Sequence, residues 1–131
     1  MTTDCPFCAI ANTDAHERVL DSNDFGFVIR DGFPVTDGHS LIIPNRHAQS
    51  FFELSDEERQ ALLALLDSAT LGIDSEFGPD SYTIGINDGP AGQTVPHVHI
   101  HLIPRYLQEG VDPRGGVRWV VPEKADYWSG K

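Results

Sequence analysis

Residues 96–105 run PHVHIHLIPR, with histidine at 97, 99 and 101 and Val98, Ile100 and Leu102 between and after them. Alternation of this kind is the pattern of a β-strand, because successive side chains point to opposite faces. It predicts a row of three imidazoles on one face, their origins ~6 to 7 Å apart, and an apolar row on the other. The apolar row has to be covered. Residues 54–78, LSDEERQALLALLDSATLGIDSEFG, supply a helix that can do so. Ser55 and Glu58 have the spacing of a capping box, acids fill the first turn, and Leu62, Leu65, Leu66, Ala69 and Ile73 recur at helical spacing. Gly78-Pro79 ends the helix.

Around this pair lie further strand patterns at 18–22 (RVLDS), 24–30 (DFGFVIR), 40–44 (SLIIP) and 81–87 (SYTIGIN). Ser22-Asn23 is a tight turn between the first two, and the stretches 31–39 and 88–96, crowded with Gly, Pro and Asp, are loops. Strands interrupted by one long helix predict an α+β domain with a mainly antiparallel sheet. No repeat, low-complexity tract or linker divides the 131 residues, so one domain over 1–131 is expected. The tail beyond 106 has one apolar run, Trp119 to Val121, and is otherwise turn-like.

The net charge of −11 disfavours nucleic acid and anionic lipid as partners, since long-range repulsion opposes every encounter. A phosphate ligand would need a local site of histidines, amides and a few arginines. No stretch has the ~18 to 20 apolar residues of a membrane span and the N-terminus lacks signal-peptide character, so a cytoplasmic protein is expected. In a reducing compartment the pair Cys5 and Cys8, in CPFC, has three readings: metal ligands, a redox couple or inert thiols.

Three chemistries fit the imidazole row. Histidine is a rare residue, so three in five positions argue against a chance polar face. Two imidazoles at i and i+2 could chelate a zinc ion that activates water. Alternatively one neutral imidazole attacks an electrophilic phosphorus, with its neighbours as helpers, because adjacent rings disfavour a common positive charge.

HVHIHLI, its preface GQTVP, the upstream DGFPVTDGHSLIIPNRH and CPFC together resemble the histidine triad (HIT) family, over nearly residues 4 to 106. The resemblance implies a HIT-like fold, with an antiparallel sheet of about five strands, one long helix and a short N-terminal helix. It also implies a homodimer and cleavage at the α-phosphorus of a purine nucleotide conjugate, a dinucleoside polyphosphate or a nucleoside phosphoramidate. His99 resembles the nucleophile that forms a nucleotidyl-histidine, His101 a phosphate and leaving-group contact, and His97 an orienting residue. His39 resembles a histidine behind the triad that fixes a tautomer.

Gln93 and Thr94 resemble donors to the phosphate, and Gly89, Ala91 and Gly92 leave room for amides to approach an anion. Asp31 resembles a ribose-hydroxyl acceptor, with a turn-forming aspartate as the alternative. Asn87 resembles a polar position near the leaving group, with a strand-end cap as the alternative. Some bacterial members bind a structural zinc with residues corresponding to Cys5, Cys8, His47 and His97. Pro96, directly before the triad, offers no amide donor. Arg114 and Arg118 either reach the polyphosphate or pair with surface acids. The same first step would serve a nucleotidyltransferase or phosphorylase, and a nucleotide-binding regulatory module with little turnover is the other class. No organic cofactor is expected.

Overall fold

The computed structural model describes residues 4–130. A short helix α1, Pro6–Ala11, is followed by strands β1 (Val19–Ser22), β2 (Gly26–Arg30) and β3 (Ser40–Pro44), the long helix α2 (Asp56–Phe77), and strands β4 (Ser81–Ile86) and β5 (Ile100–Arg105). The strands form one sheet in the order β1-β2-β3-β5-β4, with every pair antiparallel. This is the α+β HIT-like architecture the sequence predicts, short N-terminal helix included. Among the described residues no helix is long and apolar enough to cross a membrane.

The central strands explain why both faces are covered. In β2 the first four residues are buried and in β3 all five, so side chains on both sides of each strand need apolar company. On one face Val28, Ile42, Val98, Ile100 and Leu102 pack with Leu62, Leu65 and Ile73 of α2. On the other, Phe27, Ile29, Leu41 and Ile43 pack with Cys5, Phe7, Cys8 and Ile10 of the N-terminal segment. Leu66 and Ala69 lie at the margin of the α2 face, only partly buried. The helix sits so close to the sheet at Gly26 that a Cβ there would come within 2.7 Å of both Leu62 and the Ile43 carbonyl.

Helix α2 begins and ends as its sequence predicts. Ser55 Oγ accepts the Glu58 amide, Glu58 reaches back to the Ser55 amide, and Gly78 closes the helix in the left-handed conformation at φ 58°. Three strand starts differ from expectation, β1 by the single residue Arg18. β2 begins at Gly26 rather than Asp24, because the Asn23 carboxamide accepts the amides of Phe25 and Gly26 and bends the chain into a turn there. β5 begins at Ile100 rather than at the first triad histidine. Val98 donates its amide to Ala48, outside the sheet, and His97 donates to Val95 within its own bend. The alternation survives this break, since Val98, Ile100 and Leu102 all lie in the α2 core.

The tail is more ordered than its composition suggests. A 3-10 turn over Gly116–Val120 and a four-residue helix α3, Pro122–Ala125, carry two stacked pairs, Arg114 over Trp128 and Arg118 over Tyr127.

Candidate functional site

Five histidines gather where β3 and β5 meet the N-terminal segment, and for His39, His97 and His99 a backbone partner decides where the proton lies. His97 Nε2 is 2.8 Å from the Pro44 carbonyl. A carbonyl only accepts, so Nε2 carries the proton and Nδ1 is left with a lone pair. That lone pair faces two thiols, with Cys5 Sγ at 3.4 Å and Cys8 Sγ at 3.6 Å. Cys8 Sγ is also 3.2 Å from His47 Nδ1. One ligand atom from each of Cys5, Cys8, His47 and His97 lies within 4.8 Å of the other three, so these residues could hold a metal ion. The fit is a chemical one too. Two soft sulfurs and two imidazole nitrogens are a tetrahedral set, and the Pro44 carbonyl on the far nitrogen of His97 is the outer support such a ligand needs.

His99 has the opposite tautomer. Its Nδ1 donates to the His97 carbonyl at 2.8 Å, so in the neutral ring the lone pair lies on Nε2. The ring is buried, edge-to-face with Phe7 at 5.0 Å, and 5.0 Å from the ring of His101. Phe7 also meets His97 edge-on at 5.7 Å.

His39 and His101 form a third arrangement. The Val35 amide donates to His39 Nδ1 at 3.2 Å, so the single proton of a neutral His39 lies on Nε2. His39 Nε2 is 3.0 Å from His101 Nδ1 and 3.3 Å from Asp31 Oδ2. His101 Nδ1 therefore accepts, and its proton lies on Nε2. Burial keeps these rings neutral. Desolvation pushes His101 down to about 4, aided by His99 and His39 and opposed by Asp31. Desolvation also lowers His39, against Asp31, and His97, against its Pro44 hydrogen bond.

Asp31, His39 and His101 also lie close enough to hold an ion, but their protons argue against one. A metal on His39 Nε2 would need the proton on Nδ1, the nitrogen that accepts from Val35. Of the two clusters among the described residues, the thiol cluster is the one whose buried imidazole, His97, turns a lone pair inward.

The remaining predicted residues are placed as follows. Asp31 takes the turn role directly, its Oδ1 accepting the Phe33 amide at 2.8 Å, and presents Oδ2 to His39 and His101. Gln93 donates its side-chain amide to the Gln49 carbonyl, tying the 88–96 loop to the segment after β3. Asp88 strengthens that tie by accepting from Ser50 Oγ and the Phe51 amide. Thr94 is exposed and lines a shallow cavity with Cys5, His47 and Pro96, beside the thiol cluster. Asn87 is exposed just beyond β4, packed so closely on Gly92 that a Cβ there would meet it at 3.3 Å. Arg114 pairs with Asp112, the surface pairing expected. Arg118 instead donates to the carbonyls of Lys124 and Ala125, because the chain turns back over it at α3.

Phe7, the Pro44 carbonyl and the Val35 amide escaped the sequence reading. Phe7 stands inside CPFC and was within reach as the apolar residue between two thiols. The other two are backbone groups, which no residue type announces.

A five-stranded antiparallel sheet with alternating histidines beside such a thiol and imidazole cluster defines a histidine triad protein. The chain belongs to the HIT domain family, whose match spans residues 12–108. It is 37% identical over 106 residues to the adenosine 5'-monophosphoramidase hnt1 of Schizosaccharomyces pombe, covering 80% of this chain and 77% of that one. To the adenylylsulfatase HINT3 of Arabidopsis thaliana it is 34% identical, covering 80% of this chain and 54% of the relative. A crystal structure of a zinc-bound histidine triad family protein from Mycobacterium smegmatis superposes with a TM-score of 0.75 at 30% identity, covering 87% of this chain and 84% of that one.

Proposed function

We propose that the protein cleaves a purine nucleotide conjugate at its α-phosphorus through a covalent intermediate on His99. The observation that carries this is the hydrogen bond from His99 Nδ1 to the His97 carbonyl, which in the neutral ring leaves the Nε2 lone pair free to attack. In the first step that lone pair forms the N–P bond while the bond to the leaving group breaks, the leaving group departing with its electron pair. Attack makes the His99 ring cationic, and the His97 carbonyl already faces the N–H on which that charge is shared. His101 Nε2–H donates to a phosphoryl oxygen or the leaving group. Water then attacks phosphorus, the N–P bond returns its pair to Nε2, and the mononucleotide leaves as the water proton passes to solvent.

The similarity to an adenosine 5'-monophosphoramidase supports an adenylyl phosphoramidate as the first substrate to try, with diadenosine polyphosphates as the second. Asp31 accepts the ribose hydroxyls, Asn87 stands near the leaving group, and Gln93, Thr94 and Gly92 shape the loop around the phosphate. The working molecule is a homodimer of single-domain protomers in the cytoplasm. Zinc is the metal that Cys5, Cys8, His47 and His97 would hold. Since all four ligands would come from the protein, a metal there would serve as a cross-link and would leave no position for activated water.

The test is turnover of adenylyl phosphoramidates, diadenosine polyphosphates and nucleotide sugars by wild type and His99→Ala. The variant should lose about a thousandfold or more. A loss below tenfold removes His99 as nucleophile. Adenosine monophosphate binding with no turnover on the panel favours a regulatory binding module.

A further inference from the structure

Phe7 is the side chain that joins the thiol cluster to the ring at 99. It stands between the two cysteines in CPFC, and its ring meets His97 at 5.7 Å and His99 at 5.0 Å, the latter with 71° between the planes. It is buried, at 7% exposure, in the core that the N-terminal segment makes with the sheet. The family match begins at residue 12, so that likeness gives Phe7 no part.

The ring at 99 needs more than its hydrogen bond to hold a line of attack. The bond from Nδ1 to the His97 carbonyl fixes one atom. Rotation about the Cβ–Cγ bond of a histidine is broad and soft, so the opposite nitrogen can swing while that hydrogen bond bends. Attack on phosphorus tolerates little of this, since a displacement of ~1 Å in the reacting geometry costs on the order of a hundredfold. Two neighbouring rings narrow the swing. His101 flanks His99 from β5, at 5.0 Å and 60°, and Phe7 flanks it from α1. His101 is held by the strand ladder. Phe7 is held by a six-residue helix that depends on its own buried side chains, Phe7, Cys8 and Ile10, to stay on the sheet.

The geometry points to Phe7 as a positioning residue for the His99 ring, its aromatic contact keeping Nε2 in the orientation that attacks. The N-terminal segment thereby belongs to the reaction and does more than cover the sheet. What His99 attacks is taken from the proposed function, whereas the restraint on its ring stands on packing alone. Losing the restraint lowers kcat and spares KM, because binding a nucleotide asks for no alignment of Nε2 and the transition state does.

A matched control lies at the other end of α1. Phe27, at 2% exposure, is buried in the same core and lines a cavity with Ile10, Ala11 and Val19. None of the ring contacts among the described residues joins it to a histidine. Phe7→Leu and Phe27→Leu therefore make the same chemical change in one core and differ in what the ring touched.

The experiment reads the ring first and turnover second. In protein labelled with 15N-histidine, the His99 ring signals should be one sharp set in wild type and Phe27→Leu, and broadened or doubled in Phe7→Leu. With adenosine 5'-phosphoramidate, Phe7→Leu should lose about tenfold in kcat with KM within about twofold, and Phe27→Leu should keep kcat within about twofold. Both variants should melt below wild type. Should Phe7→Leu not fold, Phe7→Met, which fills the space without a ring, is read in its place. Unchanged His99 signals, an equal loss of kcat in both variants, or a raised KM at full kcat would each overturn the assignment and leave His99 as nucleophile. The last of these would make Phe7 a wall of the substrate cleft. If wild type turns over no adenylyl substrate, the proposed function falls, and the His99 signals alone then decide for or against the restraint.

Discussion

A backbone carbonyl only accepts and a backbone amide only donates. In this site Pro44 O, His97 O and Val35 N–H thereby set the proton positions of His97, His99 and His39, and His39 sets His101. The ring at 101 is thus a neutral imidazole with its proton on Nε2, beside a ring at 99 whose proton is on Nδ1. The cost of burying His101 should be visible in stability. Its folded-state value, about 4, lies below the 6.5 of an unfolded histidine. Stability from keeping it neutral is complete above pH 6.5 and is lost as the pH falls toward 4, where the unfolded chain takes up a proton and the folded one does not. Between pH 7 and 4 wild type should lose on the order of 2 kcal/mol more than His101→Asn, the full shift being discounted for partial exposure. Parallel urea-unfolding profiles across that range would mean that His101 titrates alike in the folded and the unfolded chain, with no cost of burial. At this scale the sequence displayed every imidazole and both thiols, because those side chains are rare and regularly spaced. It concealed the main-chain groups that orient them, which depend on where β3 and the 31–39 loop arrive in space.

The elements were legible where their ends are made by side chains. Helix α2 starts at a capping box and stops at a glycine, both visible in the sequence. Glu58 does more there than cap. Besides reaching the Ser55 amide, it binds Arg46 through Nε at 3.0 Å and Nη2 at 2.8 Å, joining the helix to the end of β3. Hydrogen bonds from Arg46 come first among the causes that hold its carboxyl down at about 2. Replacing Glu58 by Ala should cost about 1 to 2 kcal/mol at pH 7 in urea unfolding, since it removes the cap and the Arg46 pairing, while half-exposed Arg46 keeps its bond to the Glu53 carbonyl. The contribution is full above pH 4.5 and is lost as the pH drops through about 2. An unchanged midpoint at pH 7 would mean the helix draws nothing from this contact. Strand starts were less legible. Asp24 and Phe25 have strand-like neighbours, but the Asn23 side chain captures the next two amides, a local competition that alternation does not register. The start of β5 depends on Ala48 claiming the Val98 amide, a contact fifty residues away in sequence.

Across the whole molecule, α1 is six residues long and too short to hold itself on the sheet. It is kept there by Phe7 and Ile10 in the second core and by the thiols that flank Phe7. A metal bound by Cys5, Cys8, His47 and His97 would join the N-terminal segment, the chain after β3 and the approach to β5. Protein purified without a histidine tag should contain about one zinc per chain, and chelation or Cys5→Ser should lower its melting temperature by several degrees. Fewer than about 0.2 zinc per chain, with Cys5→Ser melting like wild type, would falsify a metal tether. His97 belongs to both centres, but by different parts: its ring faces the thiols and its carbonyl holds the His99 ring. Every amino acid brings the same carbonyl. Another side chain at 97, with some other anchor in place of both cysteines, would therefore leave the ring at 99 aimed as it is, so the ability to hold a metal and the aim of that ring are separable.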